Sequence, residues 1–181
     1  MIIHEIHDLT NNHVIHLMEA SFSKSTDVSV VNYHPDHSET PGNIFKILKD
    51  GRYTLGKGKY YVIEQQGELV CSAGWNEYDF DPTIALVLTR MYVNPKYRAQ
   101  YYAATYILPK ILAETHKYPK VWATMNEYNL GLYRWFERRA QGKRTTLFND
   151  WPDIYENFRP IGKRDIYSTE QYIIEFNKEK I

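Results

Sequence analysis

Residues 83–93 read TIALVLTRMYV, and this stretch limits the possible folds more than any other. Ile84, Ala85, Leu86, Val87 and Leu88 are consecutive apolar side chains. In an extended chain, successive side chains point to opposite faces, so this run must be dry on both. A strand of that kind sits near the centre of a sheet, with helices packed above and below it. The run is too short to cross a bilayer, which takes about 20 apolar residues.

The rest of the chain supplies strands and helices to surround it. Ile2, Ile3 and Ile6 predict a short first strand. Asp8 or Thr10 is placed to cap a helix carrying Val14, Leu17, Met18 and Phe22 at helical spacing. Residues 23–39 are polar and turn-rich, and long ordered loops often cover binding sites. Thr40 and Pro41 open a second helix, with Ile44, Phe45 and Leu48 inward and Gly51 as its stop. KYYVIEQQ (59–66) and ELVCSAGWNEY (68–78) read as a hairpin turning at Gln66 and Gly67.

Beyond the central strand, residues 98–116 predict a helix kinked by Pro109. VWATMN (121–126) reads as a strand. LGLYRWFERRA (130–140) reads as a helix with Leu132, Tyr133 and Phe136 on one face. IYENFRPIG (154–162) and QYIIEF (171–176) close the chain as two more strands. The order β-α-α-β-β-β-α-β-α-β-β predicts one domain over 1–181, with a mixed seven-stranded sheet and about four helices. The fold class is α/β, shading into α+β.

Lys plus Arg and Asp plus Glu both number 22, so no net field draws the chain to nucleic acid or an anionic membrane. A lone cysteine, Cys71, excludes an internal disulfide, fits a reducing compartment and reads as a small core residue. The start, MIIHEIHDL, lacks the pattern of a signal peptide, so a cytoplasmic location is expected. Sixteen tyrosines supply flat surfaces with polar tips, suited to a half-buried cleft. His13 and His16, and His34 and His37, show no third ligand at metal spacing, so no metal is expected. Gly56-Lys57-Gly58-Lys59 is too short for a nucleotide P-loop and reads as a turn.

A buried strand running straight into a helix leaves that helix's free N–H groups at the strand's carboxyl end, where they attract an anion. Arg98 adds a full positive charge at that point. Every strand–loop–helix has such a terminus, and Arg98 also reads as a solvated first-turn residue. The stretch VNPKYRAQYYA, Val93 to Ala103, carries more than this. It resembles the V-x-P-x-x-R-x-x-G-x-G/A pattern of the GNAT superfamily of acyl-CoA-dependent N-acyltransferases. NEYNLGLY, Asn126 to Tyr133, is similar to the spacing between an Asn and a Tyr that follows the fifth strand in that family. The order of elements matches over nearly the whole chain.

The resemblance implies a GNAT-like sheet splayed between its fourth and fifth strands, with acetyl-CoA as co-substrate. Met91, Tyr92 and Val93 would hold the thioester carbonyl and pantetheine arm through strand backbone. Arg98, Ala99, Gln100, Tyr101, Tyr102 and Ala103 would turn N–H groups onto the CoA pyrophosphate. Asn126 would hydrogen-bond the pantetheine arm, and Tyr133 would protonate the departing thiolate. The implied reaction is direct attack of a primary amine, on a small molecule, amino acid or peptide, upon the thioester. The last two strands are expected to contribute to a homodimer.

The chain departs from the pattern at Tyr101, where the family has glycine, and at the end of the Tyr133 helix, where it lacks a Gly-Phe pair. The alternative expectation is therefore a GNAT-fold binding module with an obstructed CoA groove. On the residues alone, Tyr133 also reads as core beside Phe136, and Asn126 and Asn129 as turn or cap residues. Glu64, Glu77 and Asp79 are carboxylates on or near the preceding strands, and no general base is assigned among them. Arg134, Arg138, Arg139, Lys143 and Arg144 read as a solvated helix end, or as a landing site for an acidic substrate or RNA.

Overall fold

The computed structural model describes residues 1–23, 44–143 and 151–180. Seven strands join one sheet in the order β1-β2-β3-β4-β5-β7-β6. They are β1 (Ile2–Ile6), β2 (Gly58–Gln65), β3 (Glu68–Tyr78), β4 (Asp81–Val93), β5 (Lys120–Met125), β6 (Phe158–Ile166) and β7 (Thr169–Phe176). Only β4 and β5 run parallel, and every other neighbouring pair is antiparallel. The chain from 83 to 93 lies in the middle strand of the seven, as its double-sided apolar pattern requires, and Ile84, Ala85, Leu86 and Val87 are buried.

Helices α1 (Asn12–Phe22) and α2 (Ile44–Lys49) cover one face of the sheet at β1 and β2. Val14, Leu17, Met18, Phe22, Ile44, Phe45 and Leu48 pack there on Ile6, Tyr60 and Val62. Helices α3 (Leu108–Thr115) and α4 (Leu130–Ala140) cover the other face, where Ile107, Leu108, Ile111, Tyr133, Trp135 and Phe136 meet Tyr61, Ile63, Val87 and Ala123. Cys71 lies fully buried in this second core, where loss of water pushes its thiol up to about 12. Among the described residues, no helix is long and apolar enough to cross a membrane.

Several boundaries differ from the sequence expectation. Neither Asp8 nor Thr10 caps α1: the Asn11 side chain accepts from the Val14 N–H, while Asp8 takes the Thr10 N–H and hydroxyl to form the turn before it. Asn11→Ala should therefore cost about 1 kcal/mol, read in a thermal melt as a fall of about 2–4 °C. Residues 153–157 form a 3₁₀ helix, so β6 begins only at Phe158. The helix expected over 98–116 starts at Tyr102, because Ala99 (φ 62°) and Tyr101 (φ 54°) are left-handed. The Pro109 kink takes the form of a π-helical turn, Ala103–Ile107, which feeds directly into α3. Proline donates no N–H, and a widened turn just before it lets the missing bond pass without a break. The expected loop at 23–39, the Thr40–Pro41 start and Arg144 fall largely or wholly outside the described residues.

Candidate active site

The two parallel strands at the centre part company. Ladder pairing between β4 and β5 runs from Ile84 opposite Lys120 to Val87 opposite Ala123 and stops there. β5 continues against β7, with Thr124 opposite Ile173 and Met125 opposite Tyr172. β4 instead bends. Its register against β3 slips on both sides of Gly74, and Leu88 (φ 54°) and Arg90 (φ 52°) adopt left-handed backbone. Bulges of this kind bend a strand and re-aim its groups. The result is a groove between Leu88–Val93 and the carboxyl end of β5, with half-buried Leu88, Val93, Tyr101 and Leu130 resting on the adjoining core.

Two buried tyrosines hold the bulge in place. Tyr53 Oη lies 2.8 Å from Thr89 Oγ1. Tyr60 donates to the Arg90 carbonyl at 2.8 Å and sits 2.9 Å from the Ser72 hydroxyl. Burial pushes the Tyr53 phenol up to about 12 and Tyr60 higher still, so both stay protonated at neutral pH. Gly74 is required beneath them, since a Cβ there would lie 2.5 Å from Tyr53 Cε1 and 2.7 Å from Tyr60 Cδ2. Sequence reading missed this pair because its partners come from separate strands.

Met91 is exposed, as is Arg90 before it. Tyr92 points to the opposite face, where its ring meets Phe22 edge-on at 5.0 Å and its hydroxyl lies 3.3 Å from Ser21. Tyr92 and Val93 pair with Ser72 and Cys71 of β3, so their remaining backbone edge faces the groove. The chain then makes a 3₁₀ turn (Pro95–Tyr97), with Asn94 as its cap, and Arg98 follows in extended backbone, exposed to solvent.

Residues 99–103 form the mouth of the helix. Tyr101 accepts the Thr105 N–H at 2.8 Å, which leaves the N–H groups of Tyr102, Ala103 and Ala104 ahead of that bond at the helix terminus. A left-handed Tyr101 followed by a right-handed Tyr102 (φ −53°, ψ −44°) is the backbone pattern of an anion-binding nest. The glycine that the resemblance puts at 101 thus has a backbone reason as well as a steric one. A tyrosine in left-handed conformation costs about 1–2 kcal/mol. Its ring packs against Trp151 with centroids 6.4 Å apart, and Trp151 in turn packs on Trp135 of α4 at 4.9 Å. Tyr102 turns the other way, onto Tyr97 and Tyr106, with its hydroxyl 3.3 Å from Gln65 Oε1.

At the end of β5, Asn126 is exposed and does not cap the 3₁₀ turn that follows, Glu127–Asn129. Its Oδ1 accepts from Asn129 Nδ2 at 3.2 Å, so its own amide hydrogens point elsewhere. Tyr133 is buried beside Tyr172, ring to ring at 4.8 Å, next to the last ladder pair of β5. Its hydroxyl oxygen accepts the Gly162 N–H at 2.9 Å. That N–H is turned toward it where β6 slips register against β7, with Gly162 at φ 93°. Because the phenol oxygen serves as acceptor there, its hydrogen is left to be donated to another group.

Two carboxylates considered from the sequence are engaged elsewhere. Glu64 binds His4 and His13 on the α1 face, and Glu77 accepts from the Tyr118 hydroxyl at 3.1 Å. Of the basic cluster, Arg139 pairs with Glu156 and lies 5.2 Å over the Trp135 ring, so part of that charge is spent on packing the end of α4.

No family model matches the chain, and no curated protein matches it. Solved structures do. An acetyltransferase of the GNAT family from Staphylococcus aureus Mu50 is similar with a TM-score of 0.58 at 13% identity, covering 97% of this chain and 99% of that one. A spermidine N-acetyltransferase chimera from Vibrio cholerae and hSSAT reaches 0.56 at 10% identity, over 99% and 98% of the two chains. The aminoglycoside acetyltransferase AAC(6')-Ib, solved with coenzyme A and kanamycin, reaches 0.58 at 10%, over 98% and 96%. A mixed sheet that opens between its two parallel strands, together with this likeness along nearly the whole of both chains, makes the fold that of the GNAT acetyltransferases.

Proposed function

We propose that the protein is an N-acetyltransferase that moves the acetyl group of acetyl-CoA to a primary amine by direct attack on the thioester. The observation that carries this reading is the groove where β4 leaves β5, opening beside the free N-terminus of the α3 segment. Backbone of Met91, Tyr92 and Val93 would pair with the pantetheine arm and the thioester carbonyl along the open edge of β4. The N–H groups of residues 99–103, with the Arg98 guanidinium, would face the pyrophosphate, whereas the Arg98 N–H is donated to the Pro95 carbonyl. Asn126 would offer its amide hydrogens from the β5 side. Tyr133 would give its proton to the thiolate as the carbon–sulfur bond breaks, while the attacking amine loses its proton to solvent. Spermidine and aminoglycosides, the amines named with similar folds, support a small polyamine-like acceptor.

Calorimetric titration of the whole protein with acetyl-CoA tests the proposal, with one-to-one binding in the micromolar range as the expected result. No heat at high micromolar acetyl-CoA, from folded protein, would overturn it in favour of a second reading. That reading is a binding module whose CoA groove is blocked, and the Tyr101 ring lying on Trp151 is what favours it. Tyr101→Gly removes the ring and relieves the left-handed strain together. It should tighten CoA binding by about tenfold, or ~1.4 kcal/mol. An affinity that stays absent in Tyr101→Gly would show that obstruction by this ring is not the cause.

A further inference from the structure

Three side chains from three elements converge on the face of the sheet away from α3 and α4. His4 lies on β1, Glu64 on β2 and His13 in the first turn of α1. The register sets Ile2 opposite Glu64 and His4 opposite Val62, so alternation brings His4 and Glu64 to the face that α1 covers. His4 Nε2 is 2.7 Å and His13 Nε2 2.9 Å from the same Glu64 Oε2. One ligand atom from each of the three residues lies within 4.8 Å of the others.

The Glu64 side chain is only 10% exposed, and among the described residues its ionic partners are these two imidazoles rather than a lysine or arginine. A carboxylate withdrawn from water needs a positive charge beside it. We propose that His4, His13 and Glu64 form a binding site for a transition-metal dication of the zinc class, held by both Nε2 atoms and the Glu64 carboxylate.

The donor set selects the ion. Two imidazoles and one carboxylate are the ligands of three-residue zinc sites that keep a fourth position open, whereas magnesium and calcium take oxygen. Zinc–ligand bonds of about 2.0–2.1 Å in a tetrahedron set ligand atoms about 3.3 Å apart. The two Nε2–Oε2 separations, 2.7 and 2.9 Å, fall short of that value, and all three ligand atoms lie within 4.8 Å of one another, so small side-chain rotations suffice. In the metal-bound form each imidazole carries its hydrogen on Nδ1 and gives the Nε2 lone pair to the ion. The His13 side chain is 63% exposed, which leaves a path for the ion and a solvent-facing fourth position. A bound ion would tie α1 to the β1–β2 edge of the sheet.

The test is competition of the whole protein with a chromophoric chelator for Zn2+ alone, with Co2+ absorbance as a report on ligand geometry. One equivalent of zinc at micromolar affinity or better is expected, with Co2+ giving the intense visible bands of a four-coordinate site. His13→Ala, a surface change, and Glu64→Gln should each weaken zinc binding at least tenfold. His16→Ala, exposed one turn further along α1, should leave it unchanged. Zinc should raise the melting temperature of the unmodified protein and leave that of His13→Ala where it was. Absence of zinc binding, or equal affinity in His13→Ala and the unmodified protein, would overturn the assignment, as would an equal loss in His16→Ala.

Discussion

Tyr133→Phe is expected to lower kcat for acetyl transfer by roughly 10²–10⁴-fold, the range over which a positioned general acid contributes. In the proposed reaction the leaving group is a thiolate, and without a proton donor it would have to depart as an anion beside the half-buried apolar side chains Leu88, Val93 and Leu130. The phenol suits the proposed role, since its oxygen accepts the Gly162 N–H and its ring packs on Tyr172. Phenylalanine keeps that packing and loses one hydrogen bond, for about 1 kcal/mol of stability. Acetyl-CoA affinity measured by calorimetry should therefore hold while turnover falls. Turnover within a few-fold of the unmodified protein would move the acid role to another group. A collapse of both binding and the melting temperature would instead make Tyr133 a packing residue.

What could be read from the residues was whatever local pattern determines. The apolar run at 84–88 placed the central strand, because only a two-sided burial accommodates it. Helical spacing located α1 and α4, and the turn at Gln66 and Gly67 located the first hairpin. The helix boundary near residue 100 was not legible, since Ala99 and Tyr101 are residue types that seldom take left-handed backbone. The tyrosine in the glycine position was visible in the sequence, but its cost depends on that dihedral angle. Features assembled from distant segments were hidden altogether. His13 gains its partners from β1 and β2, and the supports of the β4 bulge come from Tyr53 and Tyr60. For the candidate site, the motif could propose residues but not their orientation, which the geometry shows: Tyr92 away, Tyr101 across toward Trp151, Tyr133 held by Gly162.

Glu114→Ala should destabilise the protein by about 3 kcal/mol at pH 7, because three donors lose their shared acceptor. Glu114 extends from α3 onto the sheet and accepts from Lys59 Nζ at 2.5 Å, Tyr61 Oη at 2.6 Å and Trp75 Nε1 at 2.6 Å. Tyr61 and Trp75 are buried, and each donor left without a partner costs about 1–3 kcal/mol. Partial burial works against the Glu114 charge, but the bonds from Lys59, Tyr61 and Trp75 outweigh it and hold the carboxyl below its ordinary 4.5. The sign of the pH effect follows. A carboxyl with a lowered folded-state pKa contributes stability above its unfolded value and loses that contribution as pH falls through the folded one. The gap between unmodified protein and Glu114→Ala, read from urea unfolding, should be full at pH 7 and shrink steadily below about pH 4.5. Glu64 and Glu175, also held low by their partners, titrate alike in both proteins and cancel in the difference. A gap that stays constant down to pH 3 would mean that the loss comes from packing rather than from the charge. Because the same helix opens at the mouth of the groove, loosening its anchor should also weaken acetyl-CoA binding in Glu114→Ala. Glu114→Gln, which keeps the shape and one acceptor oxygen, should fall between the two in both measurements.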